Sequence, residues 1–244
     1  MMAAWRRPAD RPLVLGHRGV RGPLPENTRA AFARALDEGA DGVELDVRLS
    51  SDGELMVLHD PDLSRVTDGR DASPAHHRTA ASLGRVDLGG GEGVPRLRDV
   101  LDLVLGRGKL VNVELKRDVP SRAASVLALA RTVPRAEPRV LVSSFDPAML
   151  HLWKALRPDV PTGQLFHKGQ AHLHPWLLTR LFWVDALHPE HVLVDRTRSR
   201  RPIHTWTVND PIEARRLARL GVNALITDEP GALLSGLGDE PLDG

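Results

Sequence analysis

Gly42-Val43-Glu44-Leu45-Asp46-Val47-Arg48-Leu49 is the stretch whose reading decides the fold. Strand side chains alternate between faces, so Val43, Leu45 and Val47 project from one side and Glu44 and Asp46 from the other. Short apolar runs recur at 13–17, 55–59, 110–115, 139–143, 163–166, 185–188, 203–208 and 224–227, separated by stretches with helical spacing. Strands alternating with helices predict a parallel sheet. The chain has 244 residues, close to the length of about 250 typical of such barrels, and the fold class predicted is α/β, a (β/α)8 TIM barrel. One run is surplus to eight. Only the tight turn Ser51-Asp52-Gly53 separates 42–49 from 55–59, so these two pair antiparallel as a hairpin.

Helix signals fill the gaps. Asn27 or Thr28 caps a helix that runs through Glu38, and Gly39 stops it. Further helices are predicted at 97–105, 121–132, 147–156, 171–181 and 211–220. The link before 203–208 is thin, with only 190–199 available and dense charge over 196–201, so that helix is expected to be short or partly missing. Residues 61–95, with Thr67-Asp68-Gly69-Arg70-Asp71 and later Gly89-Gly90-Gly91-Glu92-Gly93, read as a small insertion after the second barrel strand, because about 35 residues bury little core alone. The whole span 1–244 is therefore expected to be one barrel domain carrying that insertion.

Composition narrows function. Lys and Arg total 33 against 32 Asp and Glu, so no overall field argues for nucleic acid or an anionic membrane. No apolar run approaches the roughly 18 residues of a membrane span, and stable membrane insertion is not expected. Cysteine is absent, which excludes a disulfide framework, a thiolate metal site and a cysteine nucleophile. The first twelve residues hold no apolar core of a secretory signal, so a cytoplasmic location is expected.

The chemistry gathers at strand ends. Two carboxylates on one face of an apolar strand repel and lose hydration unless a cation or a proton compensates. Val111-Asn112-Val113-Glu114-Leu115-Lys116 repeats the pattern, with Glu114 and Lys116 sharing a face. Glu44, Asp46 and Glu114 without cysteine suit a hard, oxygen-liganded ion, Mg²⁺ or Ca²⁺. The plainer reading is rim ion pairs with Lys116 and arginines; two matched strands weigh against it. Leu15-Gly16-His17-Arg18-Gly19 ends the first strand, where Arg18 is suited to grip phosphate at two points. His59 ends the next apolar run. Phosphodiester cleavage needs one group to take a proton and one to give one, which His17 and His59 fit. The other histidines read as surface or packing residues, with His188 the next candidate to face the pocket.

In order along the chain stand His17-Arg18-Gly19, Pro25-Glu26-Asn27-Thr28, Glu44-Leu45-Asp46, His59-Asp60, Glu114-Leu115-Lys116, Ser143-Ser144-Phe145, Trp206-Thr207-Val208-Asn209 and Thr227-Asp228-Glu229-Pro230. The series resembles the glycerophosphodiester phosphodiesterase family and covers residues 17 to 230. The resemblance implies a (β/α)8 barrel that hydrolyses glycerophosphodiesters to sn-glycerol 3-phosphate and an alcohol. It implies one divalent ion, Mg²⁺ or Ca²⁺ with Mn²⁺ a third candidate, held by Glu44, Asp46 and Glu114. It makes His17 and His59 the acid and base, places Arg18 and Lys116 where phosphate is held, and brings Glu26 and Asn27 beside the metal, although Asn27 is equally a helix cap. The insertion 61–95 matches the family's small inserted domain at the substrate entrance. Trp206 is either pocket wall or core. The partner implied is a small-molecule diester, with the oligomeric state unspecified.

Two rival functions follow from the same residues. A lysophospholipase D type activity would need a route for an acyl chain, and Trp176, Leu177, Leu178, Leu181, Phe182 and Trp183 form an apolar stretch that either touches lipid or packs a barrel helix. A non-catalytic phosphate-binding barrel has no need of two proton carriers and a metal, which weighs against it.

Overall fold

A computed structural model describes residues 2–22, 24–170, 183–197 and 199–238. Nine strands are present among them: β1 (Leu13–His17), β2 (Gly42–Leu49), β3 (Leu55–Val57), β4 (Leu110–Leu115), β5 (Val140–Ser144), β6 (Thr162–Phe166), β7 (Ala186–Pro189), β8 (His204–Thr205) and β9 (Ala224–Thr227). Eight of them run parallel in the order β7-β6-β5-β4-β2-β1-β9-β8, while β3 lies antiparallel on β2 and off that path. Single parallel bridges, Leu187 to Ile203 and Glu190 to Trp206, join the two ends of the path. The barrel is thereby nearly closed, as the alternation of runs predicts.

The helices are α1 (Arg29–Asp37), α2 (Ala80–Leu83), α3 (Leu97–Gly106), α4 (Arg122–Thr132), α5 (Pro147–Leu156), α6 (Pro211–Arg219) and α7 (Pro230–Gly238). Thr28, not Asn27, caps α1: its hydroxyl accepts the Ala31 amide at 3.2 Å. Asp146 and Asp210 cap α5 and α6 in the same manner, each followed by a proline at the first helical position. Val43, Leu45, Val47, Val111, Val113 and Leu115 face outward and are buried under Phe32, Val100, Val104 and Trp153 of the helices. The barrel interior below the strand ends is filled by Leu13, Leu15, Leu110, Leu141 and Ile226, and Trp5 joins this inner cluster. His188 belongs to that interior rather than to the pocket wall; its ring is fully buried against His204, 4.8 Å between centroids.

Several boundaries differ from expectation. The expected strand 203–208 shrinks to His204–Thr205, and the connection before it is one 3-10 helix, His191–Arg196, in keeping with the thin link there. The α7 helix has no forecast in the sequence: Pro-Gly-Ala-Leu-Leu-Ser-Gly-Leu-Gly carries three glycines, and burial of Leu233 and Leu237 beside Leu217 offsets what they cost. The expected helix 171–181 and most of the apolar stretch 176–183 lie outside the described residues; Trp183 is 87% exposed. Residues 61–95 follow β3 and contain α2, with Leu63, Ala75, Leu83, Val86 and Val94 packed on Met56 and Leu58. No helix among the described residues is long and apolar enough to cross a membrane.

Gly42 shows how tightly β2 and β4 are paired, since a Cβ at this position would lie 2.3 Å from the Leu110 carbonyl oxygen. Backbone, not a mobile side chain, stands in the way. Gly42→Ala should lower stability by about 1–3 kcal/mol, read as a lower urea midpoint with unchanged m-value, and an unaltered midpoint would contradict this packing.

Candidate active site

The strand pairing builds the site. In β2 and β4, Asp46 stands beside Glu114 and Glu44 beside Asn112; in β1 and β2, His17 stands beside Glu44. These residues share the interior face at the carboxyl ends of the strands, the end of such barrels where chemistry is found. One oxygen from each of Glu44, Asp46 and Glu114 lies within 4.8 Å of the others, and all three residues are buried.

Cations surround this cluster unevenly. Lys116 Nζ lies 3.1 Å from Asp46 Oδ1 and 2.9 Å from Glu114 Oε1. Arg18 Nε is 3.2 Å from Asp46 Oδ2, and the Asn27 amide donates to the same oxygen at 3.1 Å. Arg18 and Asn27 both take left-handed backbone conformations, φ 56° and 58°, in the loop between β1 and α1. Burial pushes the Asp46 carboxyl upward, but Lys116, Arg18 and His59 hold it well below the usual carboxylate range. Glu44 is less well escorted, with His17 Nε2 4.0 Å from its Oε2. Burial, and next the Asp46 charge, push its carboxyl up to about 8, and its Oε2 is buried without a hydrogen-bond partner. Glu114 is raised by burial and by Asp46, with Lys116 opposing.

Each histidine is held by a carboxylate at Nδ1, which leaves Nε2 as the ring nitrogen free for the site. His17 Nδ1 is 2.7 Å from Asp228 Oδ1, and the Asn209 amide donates to Asp228 Oδ2 at 2.8 Å. His59 Nδ1 is 2.6 Å from Asp60 Oδ1, and Arg65 bonds both Asp60 and Glu26. Burial lowers His17, but the Asp228 hydrogen bond and the Glu44 charge outweigh it and raise the imidazole overall. His59 goes the other way, lowered by burial and by Lys116 and Arg18 despite Asp46 and Asp60. Two imidazoles around one cluster thus differ in proton affinity.

A cavity of about 250 Å³ is lined by His17, Arg18, Glu44, His59, Glu114 and Lys116 on its polar side and by Phe145, Leu165, Trp206 and Ile226 on its apolar side. Trp206 is thus a pocket wall, with its indole N–H donated to the His188 carbonyl at 2.9 Å. Glu26 lines a second cavity that opens beside His17 and Asp228. A larger cavity, about 690 Å³ between α1, α2 and α3, contains none of these acids or histidines.

Residues 17–232 match the Glycerophosphoryl diester phosphodiesterase family. The chain belongs to this family. It is an enzyme of the phosphodiester hydrolase class. A glycerophosphodiester phosphodiesterase of Caldanaerobacter subterraneus subsp. tengcongensis is 32% identical over 238 residues, covering 91% of this chain and 96% of its own. A solved Oleispira antarctica phosphodiesterase in complex with the product sn-glycerol-3-phosphate overlays with a TM-score of 0.81 at 27% identity, covering 93% of this chain and 97% of that one. The Thermotoga maritima glycerophosphodiester phosphodiesterase does so with a TM-score of 0.75 at 30% identity, covering 92% and 98%.

Every residue singled out in the sequence around this cluster, from His17 to Trp206, is brought to one strand-end rim. Sequence reasoning gave no role to Asp60, Asp228 and Asn209. Their positions carried a signal: Asp228 directly follows the last strand and Asp60 directly follows His59. His167, read as surface or packing, lines a further cavity beside His59.

The Glu44 shift has a sign that can be measured in protein stripped of divalent ions. A carboxyl whose folded pKa is about 8 against an ordinary 4.5 gives stability that is complete below 4.5 and lost as pH rises toward 8. Asp46, shifted downward, acts only in the acid range, and the difference between wild type and Glu44→Gln reads Glu44 together with its interaction with His17, while leaving His59 common to both. In chelator, the urea midpoint of wild type should fall relative to that of Glu44→Gln between pH 5 and pH 8. A relative rise would contradict the assignment.

Proposed function

We propose that this protein hydrolyses glycerophosphodiesters to sn-glycerol 3-phosphate and an alcohol, using His17 and His59 as paired proton carriers and one divalent ion held by Glu44, Asp46 and Glu114. The observation that carries this reading is the convergence of three buried carboxylates with two carboxylate-oriented histidines on one cavity. Family membership and the sn-glycerol-3-phosphate bound to the Oleispira relative support the substrate class.

The donor set fits a hard cation. It is all oxygen, Glu44 Oε2 is buried without a hydrogen-bond partner, and Lys116 and Arg18 do not neutralise all three charges where they lie. Mg²⁺, Ca²⁺ and Mn²⁺ match those donors. When bound, such an ion polarises a phosphoryl oxygen and offsets the charge that develops there. The remaining work falls to the chain. Arg18 and Lys116, both lining the cavity, hold the phosphate and share its charge. Arg18 presents a planar fork while Glu26 at 3.1 Å fixes one end of it. His17 and His59 remove the proton from the attacking oxygen and deliver one to the departing oxygen, each kept in one tautomer by its Asp. Trp206, Leu165 and Ile226 keep water from one side of the cavity. Residues 1–244 act in this reading as one barrel domain, with 61–95 as an insertion whose Arg65 secures Asp60 and Glu26.

The test is a screen of glycerophosphocholine, glycerophosphoethanolamine, glycerophosphoglycerol and a lysophospholipid with each of the three ions, reading glycerol 3-phosphate release from the first three and head-group alcohol release from the lysophospholipid. Release from the first three that chelator abolishes supports the proposal; turnover of the lysophospholipid alone overturns it. His17→Ala and His59→Ala should each lose about 10²–10⁴ in turnover while still binding the ion, and the double variant should lose far less than the product of the two. Arg18→Lys should also impair turnover although it keeps the charge. Wild-type rates in any of the three single variants would remove that residue from the mechanism.

A further inference from the structure

Beyond His59 the central cavity continues into another of about 300 Å³, bordered by His59, Lys116, Arg117, Phe145 and His167. A diester whose phosphate lies between Arg18 and Lys116 has its two alcohol arms on opposite sides of that phosphate, one of them next to His59. The lining of this second cavity holds Arg48, Lys116 and Arg117 against Asp60, Glu114 and Asp118, but one of the bases stands outside the ion pairs. Its carboxylates are all engaged: Asp60 with His59 and Arg65, Glu114 with Lys116, and Asp118 in a two-point bond to the buried Arg48 at 2.9 and 3.0 Å. Arg117 is exposed and has no carboxylate within ion-pair distance among the described residues. Its guanidinium lies over the Phe145 ring, 5.9 Å from the centroid.

That placement has two consequences for a ligand. The aromatic face that would attract a quaternary ammonium is already covered by a cation. The free charge repels a cationic group and attracts an anionic one. His167 adds a donor, since its Nδ1 accepts the Gly169 amide at 3.0 Å and the ring proton then sits on Nε2. In the cavity on the opposite side, beside His17, both arginines have carboxylate partners: Arg21 is 3.7 Å from Asp228, and Arg18 is paired with Glu26.

Resting on the phosphodiesterase reading of the site, we infer that the cavity beside His59 receives the head-group alcohol and that Arg117 makes it favour an anionic head group over a cationic one. Arg117 is thus a specificity-determining residue that touches neither the acidic cluster nor the two proton carriers.

The experiment compares kcat/KM for three substrates graded by head-group charge: bis(glycerophospho)glycerol, glycerophosphoglycerol and glycerophosphocholine. One unit charge about 6 Å away at a half-exposed site is worth about tenfold, so wild type should favour the anionic over the cationic substrate by about that factor. Arg117→Gln should bring the ratio toward one and Arg117→Glu should reverse it, mostly through KM, with the thermal midpoint unchanged because the side chain is exposed. A ratio that Arg117→Glu leaves unaltered overturns the inference. So does a ratio that responds to Arg21→Glu instead, which would put the head group beside His17. Wild-type protein that hydrolyses none of the three contradicts the phosphodiesterase reading itself, whereas hydrolysis with an Arg117-independent ratio contradicts only the head-group assignment.

Discussion

The parallel register between β2 and β4 is the constraint on which the site depends. It sets Asp46 beside Glu114 and, two residues earlier, Glu44 beside Asn112, so that one interior face carries three acids from two strands. A slip of one residue would turn the acids of one strand outward into the helix layer and its valines into the cavity. The register is fixed from the other side of the sheet, where Val43, Leu45 and Val47 pack with Val111, Val113 and Leu115 under the helices. The stability of the outer layer thus holds together charges that would otherwise separate.

Those charges are compensated in a graded manner. Asp46 is bonded by Lys116, Arg18 and Asn27, and stays ionised; Glu44, with only the longer His17 contact at 4.0 Å, is pushed toward its neutral form by burial and by the Asp46 charge. Lys116 and Arg18 also line the cavity, so the groups that steady the acidic cluster are those available to a phosphate. The second set of carboxylates, Asp60 and Asp228, performs a different task, orienting His59 and His17 from behind. Because burial and cations act oppositely from carboxylates, the two histidines are moved apart in proton affinity, a condition that suits one to give and the other to take a proton.

The sequence was most legible where local pattern and tertiary environment coincide. Strands β2, β4 and β9 and helix α5 occupy the residues that their apolar runs mark out, since β4 and β9 are buried throughout, β2 is buried up to Leu49, and α5 is capped by Asp-Pro. The site was legible for a related reason: a carboxylate inside an apolar strand is conspicuous, His17 ends β1, and His59 stands two residues past β3, which stops at Val57 short of the expected 55–59. Legibility failed where stability comes from elsewhere. Helix α7 exists through burial of Leu233 and Leu237, and β8 is short because a 3-10 turn occupies the residues before it. Asp228 and Asn209 had no periodicity to betray them, being loop residues whose roles arise only once distant strands meet, 19 positions apart and 2.8 Å from each other; Asp60, next to His59, differs in that its signal was purely local. The charge of the His59 cavity was equally invisible, since that depends on which acids are already paired.

The account stands or falls on one ion at the β2–β4 strand ends. Anomalous scattering from crystals grown with Mn²⁺ measures this directly. A single strong peak per chain in contact with carboxylate oxygens of Glu44, Asp46 and Glu114, and absent from crystals of Asp46→Asn, is the result predicted. A peak elsewhere on the chain, or none at this cluster while Lys116 keeps its bonds to Asp46 and Glu114, would show that the three acids form an ion-pair network of the barrel rim and not a metal site.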